Sequence, residues 1–217
     1  MKSYLLTSLL ILGSLQTALA VLGFDAIQTI STSTFKCLHK EGYRFFIARV
    51  WESVGNYDYT GMQNIKNARE AGFEHVDGYI FPCLASGCAH AANQVEATIH
   101  KLKAEGAKIN TFWLDIERYA WPADHESNRK FISDMVKQAE SMNVTVGIYS
   151  NYYNWEAIVG LDYKAHHKLP LWWADYNGHQ DYTGFTAFGG WTKPAMHQYT
   201  GDVNGGCGVD LDQSYYP

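Results

Sequence analysis

The chain has no run of basic residues, and only 18% of its residues are charged, with a formal net charge of −5. A polyanion would be repelled by that balance, so nucleic acid is not an expected partner. No Gly-rich phosphate loop follows the first apolar run, which counts against a nucleotide-binding α/β fold. No paired C-x-x-C or H-x-x-x-H spacing occurs, so neither a zinc site nor any other metal or organic cofactor is expected. Beyond the first twenty residues no stretch is apolar enough for long enough to span a bilayer. No linker or low-complexity segment interrupts the sequence. With 217 residues and a 47% hydrophobic fraction, one globular domain with a buried core is the expectation.

The first twenty residues have their own pattern. Lys2 gives a short positive start, residues 5–12 are an apolar run, and Ala18-Leu19-Ala20 has the small-x-small form of a cleavage site. This reads as a signal peptide cut after Ala20, leaving a mature domain of residues 21–217 and a secreted product. Export makes disulfides expected for the cysteines, which are Cys37, Cys83, Cys88 and Cys207. Of the three pairings open to four cysteines, the short loop between Cys83 and Cys88 favours their joining each other. Cys37, near the start, is then left for Cys207, near the end, a bond suited to a chain whose ends meet. Asn143-Val144-Thr145 is a glycosylation sequon, and Asn143 also suits the left-handed residue that ends a helix.

Short apolar runs alternate with amphipathic stretches after the leader. Residues 22–24, 45–50, 75–81, 109–116, 145–149, 171–174 and 209–211 read as strands, several buried on both faces. Met62, Ile65 and Ala68 share a helical face, as do Val95, Ile99 and Leu102. Phe131, Ile132, Met135, Val136 and Ala139 form a wider helical stripe. Gly42, Gly72 and Gly106 each follow such a pattern and precede a strand, about one strand–helix unit apart. Repeated units of this kind predict a parallel sheet with helices outside. A barrel and an open doubly wound sheet both fit this pattern, and the missing phosphate loop favours the barrel, so the expected fold is α/β, a single-domain irregular TIM-like β/α barrel. Its βα units are regular at first. The last third, rich in Gly, Trp and Tyr, holds strands joined by loops.

Side chains alternate along a strand, so in residues 111–117 Leu114 and Ile116 share one face and Trp113, Asp115 and Glu117 the other. The apolar pair suits outer helices. The two carboxylates then face the barrel at the strand's C-terminal end, where barrel enzymes carry their chemistry. A second D-x-E, Asp124-His125-Glu126, opens a helical stripe, where acids merely suit the positive helix end. Asp25, Asp175 and Asp210 also adjoin or interrupt apolar runs. An acid there is costly unless paired or facing a wet cleft. Several acids at one rim raise each other's pKa, which separates a protonated carboxyl from an ionised one.

At these residues the chain resembles the glycoside hydrolase family 25 lysozymes, which are N-acetylmuramidases. Gly23-Phe24-Asp25 looks like that family's opening strand. Residues 46–52 are similar to its second strand, with Arg49 where Lys is common. Residues 113–117 match its D-x-E strand, residues 171–176 resemble its W-x-A strand, and Val209-Asp210-Leu211 its closing strand. Departures are Ile80 in place of a His, Asp212 in place of an Asn, and the loop carrying Cys83 and Cys88. The resemblance implies hydrolysis of the β-1,4 bond between N-acetylmuramic acid and N-acetylglucosamine, with bacterial peptidoglycan as the partner of a monomeric enzyme. It implies Glu117 as general acid, with Asp115 orienting the substrate's acetamido group. It also implies Asp25 and Asp210 completing the acidic rim, and Tyr79, Tyr149, Asp175, Gln198 and Arg49 lining the cleft. Two other readings remain open at this point. One is a chitinase of the family 18 type, although Trp113 stands where that family has a further Asp. The other is a non-catalytic wall-binding protein on the same scaffold.

Nine histidines turn the net charge positive in mild acid. Bacterial walls are anionic. Wall hydrolysis is therefore expected to be fastest in acid, and a pH–rate profile peaking above neutral contradicts this.

Overall fold

Polar side chains set where the helices begin. Ser31 accepts from the Thr34 N–H, Asp58 from Gly61, Asp124 from Glu126 and Asn151 from Asn154, each an N-cap that satisfies a free helix donor. Gly106 ends a helix at φ 67°, a left-handed cap that favours glycine. In the computed structural model, which describes residues 20–217, the order is β1 (Val21–Asp25), α1 (Thr32–Lys40), β2 (Tyr43–Trp51), α2 (Tyr59–Glu70), β3 (His75–Ile80), α3 (Ala91–Glu105) and β4 (Thr111–Asp115). Then come α4 (His125–Ser141), β5 (Thr145–Ser150), α5 (Tyr152–Val159), β6 (Leu171–Ala174), β7 (Met196–Asn204) and β8 (Asp210–Tyr216). The leader expectation falls on residues 1–20, of which 1–19 lie outside the described residues.

The eight strands close a barrel in chain order. Neighbours from β1 to β7 run parallel. The last strand, β8, runs antiparallel to both β7 and β1 and closes the ring. This is the expected β/α barrel, irregular in its last third: β6 and β7 are joined by a loop, and β7 turns back into β8 without a helix. Two features differ from the sequence reading. Strand β7 was not anticipated, because Met196-His197-Gln198-Tyr199 is buried yet neither a purely apolar run nor a clean alternation. The closing strand runs to Tyr216, well past residues 209–211.

Alternation sorts each strand into two cores. Phe45, Ile47, Trp113, Tyr149, Trp172, Ala174 and Met196 fill the barrel. Phe24, Phe46, Ala48, Leu114, Ile116 and Ile148 face outward and pack with the helices. Large rings fit inside because two strands offer no side chain beside them. A Cβ on Gly23 would lie 2.3 Å from the Phe45 ring, and one on Gly147 would lie 2.3 Å from Trp113. Trp113 cannot swing away freely. Its Nε1–H donates to Asp77 Oδ2 at 2.9 Å, and Asp77 Oδ1 accepts from the Thr111 N–H. Both expected disulfides form: Cys37–Cys207 ties α1 to the β7–β8 turn, and Cys83–Cys88 closes the loop after β3. Asn143 is exposed at φ 57° between α4 and β5.

Gly147→Ala is expected to cost about 1–3 kcal/mol through overpacking against Trp113. Urea denaturation of Gly147→Ala, Trp113→Leu and the double variant checks this. The double should cost less than the sum of the singles, and strict additivity would contradict the contact.

Candidate active site

The D-x-E segment keeps its alternation beyond the end of β4. The Ile116 N–H donates to the Tyr149 carbonyl, and Ser150 Oγ donates to the Ile116 carbonyl, so the backbone stays in register with β5. Ile116 is thereby buried outward, while Asp115 and Glu117 stay on the barrel side. Trp121 Nε1 donates to the Glu117 carbonyl and fixes the residue from the other side. Asp115 is buried and Glu117 half-buried. Asp25, the last residue of β1, pairs across the antiparallel seam with Asp212 of β8.

Gln198 of β7 joins these acids to the tyrosines. It is 2% exposed. Its Nε2 donates to Asp25 Oδ1 at 2.8 Å and to Asp212 Oδ2 at 3.2 Å. Its Oε1 accepts from Tyr149 Oη at 2.7 Å and from Tyr176 Oη at 3.2 Å. Two carboxylates demand the donor end of the amide, so the hydrogen-bond network itself fixes which way the group points.

Four carboxyl groups therefore share one mouth. Burial raises the pKa of Asp25, and the negative charge of Asp212 raises it further. Burial likewise pushes Asp115 up, with added repulsion from Glu117 and Asp25, while Arg49 pulls it down. Glu117 is raised by burial and then by Asp212. Asp212 is raised by burial against its own hydrogen bond from the Asp202 N–H. Burial also raises the Tyr79 and Tyr149 hydroxyls and that of Tyr176, whose hydroxyl turns inward onto Gln198 while its ring stays exposed, so all three stay protonated. Asp115 Oδ1 is buried and has no hydrogen-bond partner among the described residues. A free buried carboxylate oxygen is costly unless it is protonated or met by a donor from outside.

The anticipated residues are not all brought together. Asp25, Asp115 and Glu117 meet, but Asp210 does not join them and Asp212 stands in that place. Because β8 runs antiparallel, its first residues extend past the mouth. The register levels Asp212 with Asp25, while exposed Asp210 pairs with Asn204 in the hairpin above. Tyr79 and Tyr149 face the barrel interior. Arg49 is held by Asp58, Nε to Oδ2 at 2.8 Å, and Asp58 also caps α2. Asp175 lies to one side, accepting from Asn177 Nδ2 and lining a neighbouring cavity of about 330 Å³ with Tyr152, Tyr153 and Thr186. Gln198 spends its amide on protein groups, so it stands behind the cleft wall. Asp212 and Tyr176 were missed as members of the cluster. The two-residue period from Asp210 was the available signal for Asp212. Among the described residues no group of His, Cys, Asp and Glu is arranged to hold a metal ion.

The rim has its own chemistry. The exposed large apolar side chains are Ile27, Val54, Tyr59, Tyr119, Tyr153 and Tyr176. Every one of them follows the C-terminal end of a barrel strand, on the same side as the acids. Aromatic faces beside buried acids suit a ligand with both C–H faces and hydroxyls.

A family model described as "Lysozyme-like protein 1" matches residues 16–199. The chain is 51% identical to Lysozyme-like protein 5 of Caenorhabditis elegans over 100% of both chains. It is 35% identical to Probable GH family 25 lysozyme 2 of Dictyostelium discoideum, over 91% of this chain and 92% of that one. Among solved structures, a family GH25 lysozyme from Aspergillus fumigatus shares the fold, with a TM-score of 0.73 at 21% identity, covering 91% of this chain and 94% of that one.

The raised Asp115 pKa carries a stability consequence. Between the unfolded and folded values the folded state holds more protons, so stability falls as pH rises through that window. Asp115→Asn removes the ionisable group. It is expected to raise the thermal midpoint near pH 7, by roughly 2–4 °C for each kcal/mol relieved, and the gain should vanish near pH 4. Scanning calorimetry at both pH values checks this, and a variant less stable at pH 7 than at pH 4 relative to wild type contradicts it.

Proposed function

The chain belongs to the glycoside hydrolase family 25 lysozymes, and we propose that it hydrolyses the β-1,4 bond between N-acetylmuramic acid and N-acetylglucosamine in bacterial peptidoglycan, with Glu117 as general acid. It is a glycoside hydrolase, and the family 18 chitinase reading of the D-x-E strand gives way to this membership. The observation that carries the assignment of roles is the convergence of Asp25, Asp115, Glu117 and Asp212 on one barrel mouth. Glu117 is half-buried and keeps its proton to higher pH than a free glutamate, as a group protonating a leaving oxygen must.

Asp115 and Glu117 lie on one strand face, so they are poorly placed to straddle a sugar from opposite sides, as the two-carboxylate routes require. A substrate-assisted route suits them. Glu117 gives its proton to the glycosidic oxygen while the acetamido oxygen of the substrate bonds to C1, displacing the leaving sugar. Asp115 Oδ1 has no donor among the described residues, and the acetamido N–H supplies one, holding that group in line for attack. Water then bonds to C1 from the opposite face as the bond from C1 to the acetamido oxygen breaks, and Glu117 takes a proton from that water, so two inversions leave the configuration retained. Gln198 acts as a positioning residue that keeps Asp25 and Asp212 in place. The exposed tyrosines of the rim offer faces for neighbouring sugars.

A secreted mature domain starting after Ala20 completes this reading. Two disulfides support export, and no described helix is long and apolar enough to cross a membrane.

Glu117→Gln is expected to lose about 10²–10⁴-fold in kcat on purified peptidoglycan, with its fold intact. A near-normal rate removes Glu117 from this role. New reducing ends should be N-acetylmuramic acid in the β configuration, and an inverted product excludes acetamido attack. Binding to walls with no release of reducing ends by the wild type would favour a wall-binding protein. Gln198→Leu should lower kcat more than it raises KM, whereas a direct substrate contact predicts the reverse.

A further inference from the structure

A hollow of about 500 Å³ opens at the end of the barrel opposite the acidic mouth. Its floor is apolar: Ile99 and Leu102 of α3 and Ala107 are buried, and Ile109 and Val144 pack half-buried against the same core. Lys103, Lys108 and Asn110 stand around it. The segments that bound it, residues 106–110 and 143–145, precede β4 and β5, which places the hollow at the strands' N-terminal ends. In barrel enzymes that face carries stability, not chemistry. The apolar surface it leaves open is small, nearer the face of one sugar ring than a protein-binding patch.

Asn143 lies on the lip of this hollow. It begins the Asn143-Val144-Thr145 sequon. It is exposed, and its left-handed backbone, φ 57°, ends the α4 turn. Its side-chain amide has no hydrogen-bond partner among the described residues. A sequon in the interior of an element, or one whose Asn is spent on a structural bond, would be poorly placed for a bulky adduct. This one is exposed on a turn between a helix and a strand.

We propose that Asn143 carries an N-linked glycan whose first N-acetylglucosamine units lie across this hollow. The donor is an oligosaccharide on a polyprenyl diphosphate carrier. A bond forms between Asn143 Nδ2 and the sugar's anomeric carbon as the bond from that carbon to the carrier's diphosphate oxygen breaks. The diphosphate leaves with the electron pair, and the amide loses one proton. Thr145 supplies the hydroxyl that defines the acceptor sequence. Once attached, the C–H face of the proximal sugar covers Ile109 and Val144, and its hydroxyls meet Lys103, Lys108 and Asn110. The glycan sits at the far end from the acids, so it leaves the mouth open to a wall polymer. The inference is independent of the hydrolytic reading and needs only passage through a secretory compartment.

The test uses the full chain secreted from a eukaryotic host, as wild type, Thr145→Ser, Thr145→Val and Asn143→Asp. Thr145 is exposed at the start of β5, where Val suits a strand. Intact mass and glycopeptide mapping should find one glycan on Asn143 in wild type and Thr145→Ser, and none in Thr145→Val or Asn143→Asp. Emission of the apolar dye anilinonaphthalene sulfonate should rise in the two glycan-free variants, while their thermal transitions remain cooperative and their wall hydrolysis matches wild type. A wild-type chain with unmodified Asn143 overturns the site. A glycan on Asn143 with equal dye emission in all four proteins overturns its seat in the hollow.

Discussion

Negative charge outnumbers positive charge at the mouth of this barrel, and the arrangement of the site follows from that imbalance. Asp25, Asp115, Glu117 and Asp212 lie within electrostatic reach of one another, and Arg49 is the cation that acts on Asp115. Arg49 is itself bonded to Asp58, so little of its charge is free for the others. Such a group cannot ionise fully in a low-dielectric pocket, because each carboxylate destabilises the next. The protein answers with neutral donors. Gln198 and the raised tyrosines Tyr149 and Tyr176 form a hydrogen-bonded frame that orients carboxyls without cancelling their charge. Protons are thereby kept on groups that would lose them in water, which is what an acid catalyst working at moderate pH requires.

The cost of burying those groups falls on the rest of the barrel. Desolvated carboxyls destabilise the folded state, and a stability–activity conflict of this kind is common at active sites. Against it stand two nested cores, an inner one of aromatic rings beside Gly23 and Gly147 and an outer one between strands and helices. The seam is the delicate place. Strand β8 must close on β1 in the antiparallel sense for Asp212 to reach Asp25, and this joins the two ends of the chain. The Cys37–Cys207 bond, spanning 170 residues, ties the first helix to the turn that leads into β8. A cross-link over so long a loop restricts the unfolded chain strongly, by about 5 kcal/mol in the chain-entropy account.

Much of this was legible in the sequence because it depends on local period. The alternation in residues 113–117 gave the inward and outward faces of the D-x-E strand, and Ile116 and Leu114 are buried outward as that period requires. Asp25, the neighbour of outward-facing Phe24, obeys the same alternation. The loop between Cys83 and Cys88 was short enough to pair them. What escaped depends on register between distant strands. Asp210 and Asp212 share a face, and only the antiparallel register against β1 decides which one is level with the mouth. Strand β7 escaped because its buried half is Met-His-Gln-Tyr. His197 is fully buried with both ring nitrogens at backbone carbonyls, and Gln198 is buried by bonds to four partners, so their polarity hides their position. The role of Gln198 as a bridge has no signature in sequence, since its partners come from β1, β5, β8 and the loop after β6.

The central claim is that the mouth acids share their protons, with Glu117 held above the ordinary carboxyl range partly by Asp212. Carboxyl-carbon NMR titration of the wild type and of Asp212→Asn measures this directly. The account predicts that Glu117, Asp115 and Asp25 titrate above the ordinary values of about 3.9–4.3, and that Glu117 moves back down in Asp212→Asn. Four carboxyls titrating independently in the ordinary range, with Glu117 unmoved by that substitution, would contradict it.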